Sequence, residues 1–255
     1  MGTLTVTRIA HATTLIDYDG STLLTDPWFS EKFTYYRGEP LGVSLEALPK
    51  LAGVIVSHGH YDHYDLGAFQ AYPDKAVPFA VKRGIAEKAR KVGFPNITEL
   101  DPWETTTMGP FKITAAPAKH AVPEITFMLE AGEYTVYFGA DTLLISELRE
   151  IPQRFPNIDL ALLSINGLKI RPMLNRQVVM NVQEAAEVCQ MLQASHAIPI
   201  HYAYTGGPIG DALLVKHSGT PEEFAQAVAR RAPETQVHIL PPGQPLTLEH
   251  VSVAQ

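Results

Sequence analysis

The sequence predicts an α/β fold in which β-sheets pack against each other and helices cover the outside. The chain has 255 residues, which is enough for one large domain with a substantial core. Hydrophobic residues make up 45% and charged residues 18%, as is typical of globular rather than disordered chains. Strand signals come first in each half of the chain and helical signals follow. We therefore expect one domain over residues 1–255, although the pattern alone leaves other α/β arrangements open.

In the first half, alternating and apolar runs predict strands before any helix. Asp19-Gly20 lies between two such runs and predicts a hairpin turn. A nearly continuous apolar run that ends at Ser57 indicates a buried strand, and Gly93 is expected to end a helix. The predicted strands are residues 3–9, 13–18, 21–25, 51–57 and 77–81, and the predicted helix is residues 83–92.

The second half repeats this order of strands and helices. Ala131-Gly132 predicts a second hairpin turn, Pro221 suits the first position of a helix, and Thr220 suits its N-cap. The predicted strands are residues 111–115, 124–130, 134–139, 160–165, 196–200 and 236–240. The predicted helices are residues 143–149, 182–193 and 221–231.

Charge and composition limit which binding partners and which cellular location are expected. The net charge is −7, so a general basic field for nucleic acid is absent. No uncharged apolar stretch is long enough to cross a bilayer, and the N-terminus lacks the apolar core of a signal peptide. We expect a cytoplasmic protein without nucleic-acid or membrane partners, and a homo-oligomer stays open. Cys189 is the single cysteine, which excludes an intramolecular disulfide, and it is predicted to be a core residue rather than a reactive thiol.

A histidine-rich segment directly follows the strand that ends at Ser57. It holds His58, His60, Asp62 and His63 within six positions. Because side chains alternate in an extended stretch, His58 and His60 point to the same side, whereas a helix that begins near Asp62 would turn Asp62 and His63 elsewhere. One short loop thus offers two ligands to one metal and two to its neighbour, and these ligand types suit zinc, manganese or iron better than calcium or magnesium. A polar loop with incidental histidines is the alternative, which this spacing disfavours.

Three further residues follow strands in the same way. His120, Asp141 and His201 each stand at the C-terminal end of an apolar run, where ligand sites gather in α/β sheets. Each alone fits a surface or capped polar group equally well, but together they complete the ligand set that one loop cannot fill. A carboxylate such as Asp141 can bridge two metals. We expect two divalent ions, with zinc as the first choice and manganese or iron as alternatives.

This constellation resembles the metallo-β-lactamase superfamily. Residues 58–63 match its His-x-His-x-Asp-His signature, and His120, Asp141 and His201 match its later motifs in order. The closer resemblance is to the branch of L-ascorbate-6-phosphate lactonase-like and N-acyl-phosphatidylethanolamine phospholipase D-like proteins. It rests also on residues 9–15, 24–28, 99–104 and 157–167, and it spans residues 3–245. That branch usually has glycine before its first histidine, where this chain has Ala10 before His11.

The resemblance implies an αββα sandwich, with two mixed sheets face to face and the metals at one edge. It implies that His58, His60 and His120 hold one metal, that Asp62, His63 and His201 hold the other, and that Asp141 bridges them. It also implies that Asp26 and His11 orient ligands from behind, although a turn-forming Asp-Pro is an alternative for Asp26. Asp62 is expected to act in catalysis as well.

The predicted reaction is hydrolysis of an ester, lactone or phosphodiester of a small soluble substrate by a metal-bound hydroxide. No Gly-x-Ser-x-Gly elbow is present, which agrees with a reaction that needs no side-chain nucleophile. Candidate substrate contacts flank the motifs or lie in two segments without periodicity, residues 30–44 and 168–180. They are Trp28, Arg37, Lys169, Arg171, Arg176, Tyr202 and Tyr204. The basic residues among them would orient an anionic substrate. The alternative is that they are solvated loop residues without such a role.

Other functions fit parts of this pattern. A flavodiiron-type oxidoreductase is expected to carry His-x-Glu-x-Asp, but the second position here is His60, and no flavin-binding domain follows. A nuclease is disfavoured by the acidic balance. A non-catalytic metal-binding or scaffold protein is the main alternative to an enzyme, and it would bind metal without leaving a position open for water.

Overall fold

Strands outnumber helices in the structure, a computed structural model in which residues 2–248 are described. Met1 and residues 249–255 of the expected 1–255 domain lie outside the described residues. The strands are β1 (Leu4–Ala10), β2 (Thr13–Tyr18), β3 (Ser21–Thr25), β4 (Leu51–Val56), β5 (Phe79–Lys82), β6 (Ile97–Leu100), β7 (Thr105–Met108), β8 (Phe111–Ala116), β9 (Thr126–Ala131), β10 (Tyr134–Phe138), β11 (Leu160–Ser164), β12 (Lys169–Ile170), β13 (Arg176–Gln177), β14 (His196–Ile200), β15 (Val215–Lys216), β16 (Gln236–Val237) and β17 (Pro245–Leu248). The α-helices are α1 (Leu66–Phe69), α2 (Ala86–Lys91), α3 (Ile151–Arg154), α4 (Val182–Leu192), α5 (Gly207–Leu213) and α6 (Pro221–Arg231). Short 3-10 helices cover Leu45–Ala47, Ser146–Glu150 and Arg171–Met173.

Two mixed seven-stranded sheets organise these strands. The first has the order β17-β1-β2-β3-β4-β5-β6, antiparallel as far as β3 and parallel from β3 to β6. The second has the order β16-β14-β11-β10-β9-β8-β7, parallel from β16 to β10 and antiparallel from β10 to β7. A small antiparallel sheet, β13-β12-β15, lies apart from both. We call this small sheet the cap.

The core divides into one central and two outer layers, which gives the predicted αββα sandwich. Ile55 and Leu162 belong to the central cluster, to which strands of both sheets contribute. Their neighbours Val56 and Leu163 belong to the outer clusters, which also contain residues of the helices. Because successive side chains of a strand point to opposite faces, a strand buried on both faces needs a continuous apolar run. That requirement explains the apolar sequences of β4 and β11.

The helices begin where the sequence places capping residues. The Thr220 side chain accepts from the Glu223 backbone N–H, while Glu223 accepts from the backbone N–H of Thr220, which makes a capping box at α6. Asn181 and Glu184 form the same arrangement at α4. Both helices pack on the second sheet through buried apolar faces.

The predicted helix over residues 143–149 is wrong. Leu143 donates its backbone N–H to Lys119 O at 2.8 Å, and Ile145 is extended, so the chain is still a loop there. The 3-10 helix Ser146–Glu150 follows and continues into α3. The predicted strand 236–240 is shortened to β16. No helix within residues 2–248 is long and apolar enough to cross a membrane.

Candidate metal centre

The predicted ligand residues meet at one edge of the sandwich, just beyond the ends of strands from both sheets. The histidine-rich segment follows β4 in the first sheet. His120, Asp141 and His201 follow β8, β10 and β14 in the second sheet. Because neighbouring parallel strands end on the same side of a sheet, residues that are far apart in sequence converge there.

The first cluster consists of His58, His60 and His120. His60 Nδ1 lies 2.9 Å from His58 Nε2 and 3.2 Å from His120 Nε2. Two nitrogens bound to one tetrahedral zinc at 2.0–2.1 Å would lie about 3.3 Å apart, so the three atoms are spaced for a shared cation. Burial lowers the pKa of His58 and His120, and burial with the neighbouring His120 lowers the pKa of His60 to about 4. The three rings are therefore neutral, as metal ligands must be.

The second cluster contains Asp62, His63 and His201, with His11 beside them. Asp62 Oδ2 lies 3.9 Å from His63 Nε2 and 4.0 Å from His201 Nε2. Burial by itself raises the pKa of Asp62, but the nearby His63 and His11 lower it far below the ordinary value, so Asp62 is a carboxylate.

Asp141 stands between the two clusters. Its Oδ2 atom lies 3.2 Å from His63 Nε2, 3.0 Å from His201 Nε2 and 3.9 Å from His120 Nε2. The Nε2 atoms of His63 and His201 are buried and make no hydrogen bond, even though both are near this carboxylate. Buried polar atoms without partners are costly, and a cation between them would satisfy both. The donor set therefore fits divalent metal ions.

Two buried carboxylates orient the histidines from behind. Asp26 accepts hydrogen bonds from the Ser57 backbone and hydroxyl at 2.7 and 2.6 Å, and its Oδ2 lies 2.7 Å from His63 Nδ1. Glu124 places Oε1 3.2 Å from His58 Nδ1 and accepts the Asp141 backbone N–H at 2.9 Å. Asp26 thus holds His63 Nδ1, while His58 Nδ1 lies between Glu124 and the Ser57 hydroxyl, which is 2.9 Å away, so that both Nε2 atoms are directed into their clusters.

Glu124 was not predicted from the sequence. It is a single acidic residue just before β9, and nothing in its neighbours distinguishes it from a surface carboxylate. Its burial and its two partners appear only once β9 and β10 are paired. Burial, reinforced by Asp141, raises its pKa well above the ordinary value.

His11 lies inside the second cluster rather than behind it. Its Nε2 is 3.3 Å from Asp62 Oδ2, its ring centre is 3.8 Å from that of His201, and burial lowers its pKa to about 3. Its backbone adopts a left-handed φ of 54°, and its N–H donates to Glu39 Oε1 at 3.0 Å. Glu39 is in turn held by the buried Arg8 in a two-pronged ion pair of 2.5 and 2.7 Å. The Arg8–Glu39 pair thus fixes the backbone that presents His11.

The chain does not enter a helix near Asp62, which corrects that expectation. The backbone N–H groups of His63 and Tyr64 both donate to His60 O, at 3.3 and 2.9 Å, and form a turn. Helix α1 begins only at Leu66. The turn is enough to direct Asp62 and His63 away from His58 and His60, so the expected division of the segment between two clusters holds.

A pocket of about 130 Å³ opens beside both clusters. His60, Asp62, His120 and Asp141 contribute to its wall. The other lining residues are Tyr35, Leu168, Ile170, Val178, Tyr204 and Val215. Of the candidate substrate contacts, the structure brings Tyr204 to this pocket.

The other two aromatic candidates lie away from the pocket wall. Trp28 is fully buried and packs edge-on against His11, with the ring centres 4.8 Å apart, so it supports the centre from behind. The Tyr202 ring lies under the Arg8 guanidinium at 4.8 Å and packs against the outer core of the second sheet.

The four basic candidates are not among the residues that line the pocket. Arg37 lies near the Trp28 ring, with Nη2 3.7 Å from Glu31 Oε1. Arg171 donates its Nε–H to the backbone oxygens of Asp211 and Val215, at 3.0 and 2.8 Å. Lys169 and Arg176 stand on the cap strands β12 and β13.

Known proteins resemble this chain in sequence or in fold. The family model described as the Beta-lactamase superfamily domain matches residues 21–202. A metal-dependent hydrolase of Rubrobacter xylanophilus is 26% identical over 269 residues, which cover 96% of this chain and 97% of the relative. An N-acyl-phosphatidylethanolamine-hydrolyzing phospholipase D of Caenorhabditis elegans is 28% identical, with 78% of this chain and 64% of the relative covered. The solved structure of Igni18, a metallo hydrolase from Ignicoccus hospitalis, aligns with a TM-score of 0.76 at 21% identity over 98% of this chain and 100% of that chain.

Proposed function

The chain belongs to the metallo-β-lactamase superfamily as a metal-dependent hydrolase, and from that premise we propose that it uses two divalent ions to hydrolyse an ester, lactone or phosphodiester of a small substrate. The observation that carries the proposal is the division of six candidate ligands into two clusters, with Asp141 Oδ2 between them. A single tetrahedral site with an open position needs only three protein ligands. Zinc is the proposed metal, with manganese or iron as alternatives.

The side chains have distinct roles in this proposal. His58, His60 and His120 would hold one ion and Asp62, His63 and His201 the other, with Asp141 shared. Bound there, the ions would lower the pKa of a water molecule and polarise the bond to be cleaved. Asp62 lines the pocket as a carboxylate, so it would also accept a hydrogen bond from the attacking water and orient it. His11 would confine Asp62 to this position.

The pocket supports an enzyme rather than a scaffold. His60 and His120 of the first cluster border the pocket, and so do Asp62 and Asp141. A scaffold protein would have no need to leave ligands accessible to a small molecule. We include a cytoplasmic location in the proposal, and nucleic acid is not proposed as a partner because the net charge is −7.

Metal analysis with activity measurement tests the proposal directly. The protein should retain two ions per chain after loading and gel filtration, as measured by mass spectrometry of the elements. The loaded protein should hydrolyse members of a set of esters, lactones and phosphodiesters, and a chelator should abolish that activity. Saturation at one ion would remove the bridging role of Asp141. Two ions without hydrolysis of any ester, lactone or phosphodiester would favour the scaffold alternative.

A further inference from the structure

Beyond the four candidate ligands, the walls of the pocket beside the metal centre carry no charge. Apart from the four ligand residues, its lining consists of four aliphatic side chains and two tyrosines. Tyr204 already donates its hydroxyl to Thr34 O at 2.7 Å. Several of these residues, with Trp28, also form a hydrophobic cluster of their own. The cavity volume of about 130 Å³ is close to that of engineered apolar cavities which bind benzene.

The cap supplies the aliphatic wall and is firmly attached to the centre. Ile170 of β12 and Val215 of β15 are directly paired, so their side chains lie on the same face of the cap. Val178 donates its backbone N–H to Leu168 O at 2.9 Å, and its own carbonyl accepts from His120 Nδ1 at 2.7 Å. The wall is therefore fixed relative to the first cluster, and it is a preformed surface for a ligand.

None of the three cations near the cap lines the pocket, and two of them are directed away from it. Arg171 is held by two backbone carbonyl oxygens, and Lys169 lies on the face of β12 opposite to Ile170, because side chains alternate along a strand. Arg176 is paired with Ile170 and therefore lies on the same face of the cap, but it stands on the outer strand, where it is exposed and outside the pocket lining. A charged group held against the aliphatic wall would thus lose its water without gaining a buried partner, which is unfavourable.

The geometry points to a substrate that presents a compact, uncharged apolar group to the cap. The group lies against Leu168, Ile170, Val178 and Val215, and its size is that of a phenyl ring or a short branched alkyl chain. The cleaved bond lies next to it, beside His60, Asp62 and Asp141. This inference rests on the proposed hydrolase function and replaces the anionic substrate that the basic residues of the sequence suggest.

The test uses matched pairs of substrates. Each ester, lactone and phosphodiester is made with a phenyl or alkyl group and again with a carboxylate on that group. We expect kcat/KM to be at least about tenfold higher for the uncharged member, and to rise with each added methylene until the pocket is full. Equal or higher kcat/KM for the carboxylate member would overturn the inference. If Arg176→Ala then removed the preference for the carboxylate member, the subsite would be one that binds an anion.

Two variants and a binding measurement separate this inference from the proposed function. Ile170→Thr should lower kcat/KM for the uncharged substrates about tenfold and leave metal content unchanged. Ile97→Thr, on β6 far from the pocket and equally half-buried, should not. Calorimetric titration of the metal-loaded protein with benzyl alcohol and with methanol needs no turnover. Equal affinities for the two alcohols would refute the apolar subsite even if hydrolysis is found, and tighter binding of benzyl alcohol without hydrolysis would refute only the reaction.

Discussion

At the residue scale, Glu124 lies against His58 as Asp26 lies against His63, and both are positioned to orient the histidine ring. Both carboxylates are buried and contact Nδ1 of a histidine whose Nε2 faces a cluster. Glu124→Gln should therefore lower the affinity for one metal ion by about 10- to 100-fold, because an amide holds the ring orientation less strongly. Competition with a chromophoric chelator measures this affinity. Glu87→Gln, on the exposed side of α2, is the control, and equal affinities in both variants would contradict the role given to Glu124.

Replacement of the candidate ligands themselves is predicted to have a larger effect. Asp62→Ala and His120→Ala should each abolish hydrolysis and reduce the bound metal, while the circular dichroism spectrum stays near that of the unchanged protein, because both residues lie in loops after strands or turns. His196→Ala changes a half-buried histidine in β14 outside the clusters and should keep full activity. Turnover close to the unchanged level in either ligand variant would remove that residue from the proposed set.

Residue type and spacing were enough to select the candidate ligands, which the structure brings together, but not the residues that contact them from behind. His58 to His63 are close in sequence, so their pattern is visible without a structure. Glu124 contacts His58, and Glu39 contacts Arg8 and His11. These contacts join residues that are far apart in sequence. Nothing local marks such residues, because an isolated glutamate beside a strand is most often solvated.

At the element scale, the contribution of the α6 N-cap to the free energy of unfolding can be measured with little interference from other contacts. Thr220 accepts from the Glu223 backbone N–H at 3.2 Å and is exposed, so its replacement changes little else. Thr220→Ala should lower the free energy of unfolding by about 1 kcal/mol, as measured by urea denaturation. Thr220→Ser keeps the accepting oxygen and should cost much less. A loss as large in the serine variant would mean that the methyl group, not the cap, is responsible.

The elements that sequence analysis missed are those with too few residues to show a period. Strands β2, β3 and β14 were predicted with their observed bounds, since five or six residues display alternation or an apolar run. The cap strands have two residues each, and their pairing depends on segments as distant as Lys169 and Lys216. The aliphatic pocket wall could therefore not be predicted from the sequence, in which the basic residues of the two loop segments are the more apparent candidates for substrate contacts.

At the scale of the whole molecule, the clusters join the two sheets. His63 comes from the first sheet, and Asp141 and His201 come from the second. Metal bound at 100 times its dissociation constant should stabilise the fold by about 2.7 kcal/mol per site, which corresponds to roughly 5–11 °C in melting temperature for a chain of this size. Differential scanning calorimetry with and without a chelator measures the shift. Asp141→Asn should reduce it, whereas an unchanged melting temperature after chelation would show that the ions do not link the sheets.

The division of the ligands between the two sheets also sets an order of events during synthesis. The segment from His58 to His63 leaves the ribosome well before His120, Asp141 and His201 exist, since domains are made from the N-terminus. An ion captured by that segment alone has few ligands and exchanges readily. Tight retention begins only when β14 has been made and placed beside β11. Ions held in this way would thus be a chemical record that the chain has been made past β14 and that its two sheets have come together.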